Sequence, residues 1–292
     1  TLDGSSAASD VYKRQVSGES RQIPFSVNDT RTAYPAVEVA VDVAPDTLTT
    51  TMPRFATQSP DGQSVVFESM GRLFVKRDGE EAKRLTRDTG TAVEFSPAFS
   101  SDGKDVYFLT WSDDELGSVR KVSARGGRSK NVLATPGHYV DLSISRDGET
   151  LLFTKLSGSS LTNPHWGKKP GIYVFELGDD EAQFVSRRGR SPHFGPGDRI
   201  YATERVSSAV GRGSDDASSE LISMNHDGED VRTHASSPLA TVIRISPSGK
   251  HVAYREAGRL YVAALPMTGR SIDLSAIENT ASGAAAYATE RV

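Results

Sequence analysis

Apolar positions along this chain fall in short runs bounded by Gly, Pro, Asp and Ser, and no run carries the three-to-four-residue spacing of an amphipathic helix. The stretch beginning at Phe55 sets the pattern. FATQ leads into Ser59-Pro60-Asp61-Gly62, and then QSVVFES, RLFVKR and RLTRD follow, separated by polar or glycine-bearing turns. Proline presets φ at the second position of a tight turn, aspartate tolerates the third, and glycine accepts the left-handed φ that closes it. The pattern predicts four short strands in succession, forming one antiparallel sheet.

The order recurs. Ser100-Ser101-Asp102-Gly103 precedes DVYFLT, SVRKVS and KNVLA, and Ser145-Arg146-Asp147-Gly148 precedes TLLFTK, GIYVFEL and QFVSR. Gly195-Pro196-Gly197-Asp198 and Ser246-Pro247-Ser248-Gly249 open two more divergent copies, the last with HVAYRE, RLYVAA and SIDLS. The turn glycines Gly62, Gly103, Gly148, Gly197 and Gly249 step by 41, 45, 49 and 52 residues. Four strands per period of this length predict an all-β propeller with five recognisable antiparallel blades. Consecutive apolar residues in VVFES fit a strand covered on both faces by neighbouring blades.

The expected organisation is a non-native or disordered tail over 1–16, partial outer strands or a linker over 17–52, blades one to five over 53–274, and part of a further blade over 275–292. The run SSAASDVYKRQ reads as adaptor-derived, and strand remnants at both ends predict a ring from which sequence is missing. YATERV occurs at Tyr201 and again at Tyr287.

Composition narrows the function classes. The net charge of −4 gives no basic field over the whole chain to hold nucleic acid, even with the local cluster Arg187, Arg188 and Arg190. No apolar stretch is long enough for a membrane helix. With no cysteine, disulfides and thiolate chemistry are excluded.

SPDG followed by VVFES-type and RLFVK-type strands and an RLT ending resembles the WD40-like repeat of the TolB and tricorn type, over roughly Pro53 to Leu274. Blades four and five depart from it at the turn. More narrowly, RFATQSPDGQSVVFESMGRLFVK and FSPAFSSDGKDVYFLTWSDDELGSVRKV resemble the N-terminal propeller of bacterial amidohydrolase-related proteins. The resemblance implies a noncatalytic propeller that positions or gates a metal-dependent hydrolase barrel lying outside these residues, in a periplasmic or secreted protein. A TolB-like exported protein-binding scaffold is the alternative, and the propeller of a prolyl-oligopeptidase-type serine peptidase is the third. The partner is accordingly a C-terminal catalytic domain or another protein.

The residues themselves point to no reaction. GxSxG and HExxH are absent, and His138, His165, His193, His226, His234 and His251 never stand two apart. No catalytic residue, cofactor or metal is expected within these residues, so any metal belongs to a separate hydrolase domain. Asn225-His226-Asp227-Gly228-Glu229-Asp230 alternates oxygen ligands before a glycine, but Ser236 stands where a calcium loop would carry its twelfth-position glutamate, so a hairpin turn accounts for it. Strand alternation puts the loops between second and third strands on the same side as the connections between blades. Trp111, His138, His165, Trp166 and His193 are read onto that side as a candidate binding face, with Trp111 and Trp166 alternatively filling gaps between blades.

Overall fold

The computed structural model describes residues 12–14, 20–22, 26–32, 50, 52–87, 90–157, 169–207, 217–265 and 272–273. The chain divides into a unit of residues 1–48 and one of residues 49–292. In the first, β1 (Tyr12–Arg14) pairs antiparallel with β2 (Ser20–Gln22), Tyr12 opposite Gln22. The pattern reading places Tyr12–Arg14 in an irregular tail. A three-residue ladder is held by backbone pairing, and it is too short for alternation to show.

The second unit is a five-bladed β-propeller. Blade one is β3 (Arg54–Gln58), β4 (Ser64–Ser69), β5 (Arg72–Arg77) and β6 (Lys83–Arg84). Blade two is β7 (Val93–Phe99), β8 (Asp105–Ser112), β9 (Leu116–Ser123) and β10 (Lys130–Gly137). Blade three is β11 (Tyr139–Ile144), β12 (Thr150–Lys155), β13 (Gly171–Glu176) and β14 (Gln183–Ser186). Blade four is β15 (Arg190–Phe194), β16 (Ile200–Ser207), β17 (Ala217–Met224) and β18 (Arg232–Ser237). Blade five is β19 (Ala240–Ile245), β20 (His251–Glu256) and β21 (Arg259–Ala264). Within every blade, successive strands pair antiparallel in chain order.

The last strand departs from expectation. SIDLS is read as the fourth strand of blade five, yet β22 (Ile272–Asp273) pairs in parallel with Ala235 and Ser236 of β18, so among the described residues blade five has three strands and the sheet of blade four has five. Two residues carry too little side-chain pattern to select an edge, and the backbone edge of β18 accepts them. The segment Ser275–Val292, the longer part of the loop Ser157–Gly171, and most of the insertion before Glu220 lie outside the described residues.

Packing explains the consecutive apolar residues. Val106 and Phe108 turn toward Val66, Leu73, Val75 and Leu85 of blade one. The alternate residues Tyr107 and Leu109 turn toward Tyr139, Leu151 and Phe153 of blade three. Leu152 then joins Ile200, Ala202 and Ile222 of blade four, and Tyr201 and Leu221 join Ile243, Val252 and Tyr254 of blade five. Each strand thus feeds two cores because side chains alternate across a sheet. Phe108 and Phe153 are fully buried, and burial of such a side chain contributes roughly 1.5–3 kcal/mol.

The recurrent turn is held by more than proline and glycine. In blade one the Ser59 hydroxyl donates to Asp61 and accepts from the Ser64 N–H at 2.9 Å, and Asp61 accepts from the Gln63 N–H at 3.0 Å. Ser100 with Asp102 and Ser145 with Asp147 repeat this network. In blade five Ser248 replaces the aspartate, and its hydroxyl accepts from the Lys250 N–H at 3.2 Å. Blade four instead makes a 3-10 turn over Pro196–Asp198, with Gly197 at φ +67.

Candidate binding face and central channel

The first strands of all five blades line one cavity of about 820 Å³. Each of these strands carries a register shift against its neighbour. In four of them the irregularity holds a non-glycine residue at positive φ: Phe55, Ser96, Asp141 and Ser191. A bulge of this kind re-aims side chains at the rim of a sheet. Phe55, Ser96 and Asp141 each stand seven residues before the turn glycines Gly62, Gly103 and Gly148, a fixed offset that the reading of the repeat did not use.

Only Asp141 among these four is ionisable, and it lines the channel together with Arg244 of β19. Burial pushes the Asp141 carboxyl up, while the Arg244 guanidinium and the Ser191 backbone amide partly counter this. The lining also includes charged Arg146 and Asp198, the hydroxyls of Ser96, Ser100 and Ser143, and apolar Phe55 and Phe194.

The five residues read onto a binding face separate. Trp111 lies within β8, near its end, rather than in a loop, and pairs with Gly117 across the hairpin. His138 is the exposed connection between β10 and β11. The two rings meet with centroids 4.9 Å apart, and the Trp111 indole N–H donates to Asp113 at 3.2 Å. These groups therefore share a face and touch. Beside them a recess of about 320 Å³ is lined by Thr110, Ser112, Asp114, Glu115 and Arg120, and by the blade-one connection Gly90–Ala92. Exposed Leu116 and Leu156 belong to the hairpins of the same face.

His193 is a correction. It lies inside β15 and is only 6% exposed. Its Nε2 accepts from the Ile245 N–H at 3.0 Å, and its Nδ1 stands 3.3 Å from the Ser191 carbonyl, so a neutral ring protonated at Nδ1 ties blade four to blade five. The bulge at Ser191 lengthens the strand and draws the imidazole inward. His165 and Trp166 lie outside the described residues.

Among the described residues no group of three or more His, Asp or Glu side chains could hold a metal ion. None of the described helices is long and apolar enough to cross a membrane. His226 donates from Nε2 to the Asp198 carbonyl, 2.9 Å away, which places it in a contact between turns.

No family model matches the sequence, and no curated protein matches it. Solved structures match the fold. A TolB protein of Agrobacterium tumefaciens superposes with a TM-score of 0.56 at 18% identity, over 75% of this chain and 78% of that one. An oligogalacturonate lyase in complex with manganese gives 0.53 at 14% identity, over 72% and 61%. TolB of Acinetobacter baumannii gives 0.50 at 16%, with this chain spanning about half (49%) of that protein. At these identities the likeness concerns architecture, and the chain carries a β-propeller of the fold seen in TolB and oligogalacturonate lyase.

Proposed function

We propose that this chain is a noncatalytic, partner-binding propeller that works through the face bearing Trp111 and His138. The observation that supports this is the contact of the Trp111 and exposed His138 rings at 4.9 Å, on the side where hairpins and blade connections emerge together. An aromatic anchor ringed by polar groups and scattered apolar side chains suits a protein surface better than a small reacting molecule. The resemblance of the first two repeats to propellers that precede amidohydrolase barrels makes a metal-dependent hydrolase domain the partner in this reading. The propeller positions or gates that barrel, in a periplasmic or secreted protein.

Calorimetric titration of the purified chain against a metal-loaded amidohydrolase barrel tests the reading. Binding is expected, and Trp111→Ala should weaken it by about 2 kcal/mol, the size of an aromatic hot spot. Absence of binding removes the hydrolase partner. Metal-dependent amide or ester hydrolysis by this chain alone, abolished by a single His-to-Ala change, removes the noncatalytic role.

A further inference from the structure

His234, in the outer strand β18 of blade four, ends a directed chain of hydrogen bonds. The Arg199 Nε–H donates to the Ser223 hydroxyl oxygen at 3.0 Å, and that hydroxyl stands 2.8 Å from His234 Nε2. A guanidinium can only donate, so the Ser223 hydrogen is left to donate in turn, and the imidazole accepts it as a neutral ring protonated at Nδ1. Ser223 is fully buried, and the His234 ring centroid lies 5.1 Å from that of buried Tyr201.

The charges around the ring oppose its protonation. Arg199 also donates to Asn225 at 2.7 Å and to Asp230 at 2.9 Å, and Arg232 holds the same Asp230 carboxylate at 3.1 and 2.6 Å. Asp230 is thus already shared by two cations. On the neighbouring strands, Glu220 of β17 accepts the Thr233 hydroxyl at 3.2 Å, and Asp273 of β22 pairs at Ser236. A proton on Nε2 would set a third cation beside Arg199 and Arg232 and leave the Ser223 oxygen receiving hydrogens from both sides. Burial first, then Arg199 and Arg232, hold the imidazole below its ordinary 6.5.

His234 is also the extra residue of a bulge, since Ile222 faces Thr233 while the adjacent Leu221 faces Ala235. Directly beyond it, Ala235 and Ser236 carry two ladders at once, antiparallel to β17 and parallel to β22. β22 follows blade five in the chain but pairs on blade four, so it laces the two blades through the backbone. A bulge interrupts the ladder, which makes it the place where an edge strand starts to open.

We propose that His234 is a proton-operated latch: its neutral ring holds the outer edge of blade four closed with β22 laced to it, and protonation in mildly acid solution opens that edge while the other blades stay folded. Opening of β18 frees the ring from both arginines, so the proton is bound more readily in the open form. The stabilisation is therefore complete above about 6.5 and is lost as pH falls through the lower value of the closed form. The latch is independent of the Trp111 face, which belongs to blade two.

Hydrogen exchange of the full chain by mass spectrometry at about pH 7.5 and about pH 5.5, normalised to the intrinsic amide rates, tests the proposal. Peptides covering 232–237 and 272–273 should lose protection about tenfold or more at the lower pH, while those of β8 and β12 keep theirs. His234→Gln, whose amide oxygen can accept the Ser223 hydrogen but takes no proton, should show equal protection at both pH values. Should that variant misfold by circular dichroism, Arg232→Gln, at a side chain 60% exposed, removes one repelling charge and should shrink the loss. No loss in the unaltered chain, an undiminished loss in the folded variant, or a loss shared by every blade overturns the proposal.

Discussion

Glu94, on the first strand of blade two, accepts the backbone N–H of Leu73, on the third strand of blade one, at 2.8 Å. The carboxylate is fully buried and also accepts the Thr86 hydroxyl at 2.6 and 2.7 Å, with Arg72 and Arg84 at 3.9 and 3.8 Å. A charge buried between two blades is tolerable only because donors from the neighbouring blade surround it. The same contact fixes how blade two sits on blade one. Glu94→Ala should therefore destabilise the propeller by about 3 kcal/mol, since it leaves the Leu73 N–H and Thr86 hydroxyl unmet. The midpoint of urea unfolding checks this, and a shift no larger than that of an exposed Glu→Ala substitution would refute it.

The aspartates of the repeated turns make stability sensitive to acid. The Ser59 hydroxyl, followed by the Gln63 N–H, holds the Asp61 carboxyl below its ordinary 3.8, and Ser145 with the Glu149 N–H does the same for Asp147. Asp102 is held lower still, first by the Lys104 ammonium, then by the Lys104 N–H and the Ser100 hydroxyl. A carboxyl whose folded pKa is depressed contributes stability that is complete above its unfolded pKa and is lost as pH falls through the folded value. Thermal unfolding from pH 5 down to pH 2 should show this loss setting in near and below 3.8. Asp→Asn at all three turns should flatten that limb, and an unchanged slope would rule the turns out as its source.

Asp141 runs the opposite way. Burial raises its folded pKa, so its neutral form is favoured by folding, and the associated stability is present below the unfolded pKa and lost as pH rises through the folded one. Asp141→Asn should accordingly stabilise the chain at pH 7 by about 1 kcal/mol, with the gain shrinking toward pH 3. Asparagine also tolerates the positive φ of 58° found there. Melting temperatures of the two proteins at both pH values decide it, and a destabilised variant at pH 7 would contradict the account.

Gly228, in the hairpin between β17 and β18, has φ +84 and packs so closely on the carbonyl of Val185 in blade three that a Cβ would collide with it. Gly126 of blade two makes the equivalent approach to the Leu85 carbonyl of blade one, at 3.0 Å for a Cβ. Gly228→Ala should cost about 3 kcal/mol, combining backbone strain with separation of two blades. Gly79, also at positive φ but with nothing near a Cβ, supplies the control. Equal losses at the two sites by calorimetry would show that strain alone, and no approach between blades, sets the cost.

The sequence alone carried the local part of this structure. Ser-x-Asp-Gly at regular intervals specified the tight turns, because serine and aspartate hydrogen-bond the backbone within five residues and glycine supplies the positive φ of +73 at Gly62, +70 at Gly103 and +81 at Gly148. Consecutive apolar positions such as Phe108 and Leu109 marked strands buried on both sides. Tertiary structure decided what depends on partners distant in the chain. Whether His193 faces solvent was settled by Ile245, 52 residues away, and by a bulge at Ser191 that no residue preference announces. Burial of Glu94 required the N–H of Leu73 across a blade seam, and the placing of Asp141 and Arg244 in one channel required the closing together of five first strands. Turn chemistry is read within a few residues, whereas burial and electrostatics sum over every group that folding brings near.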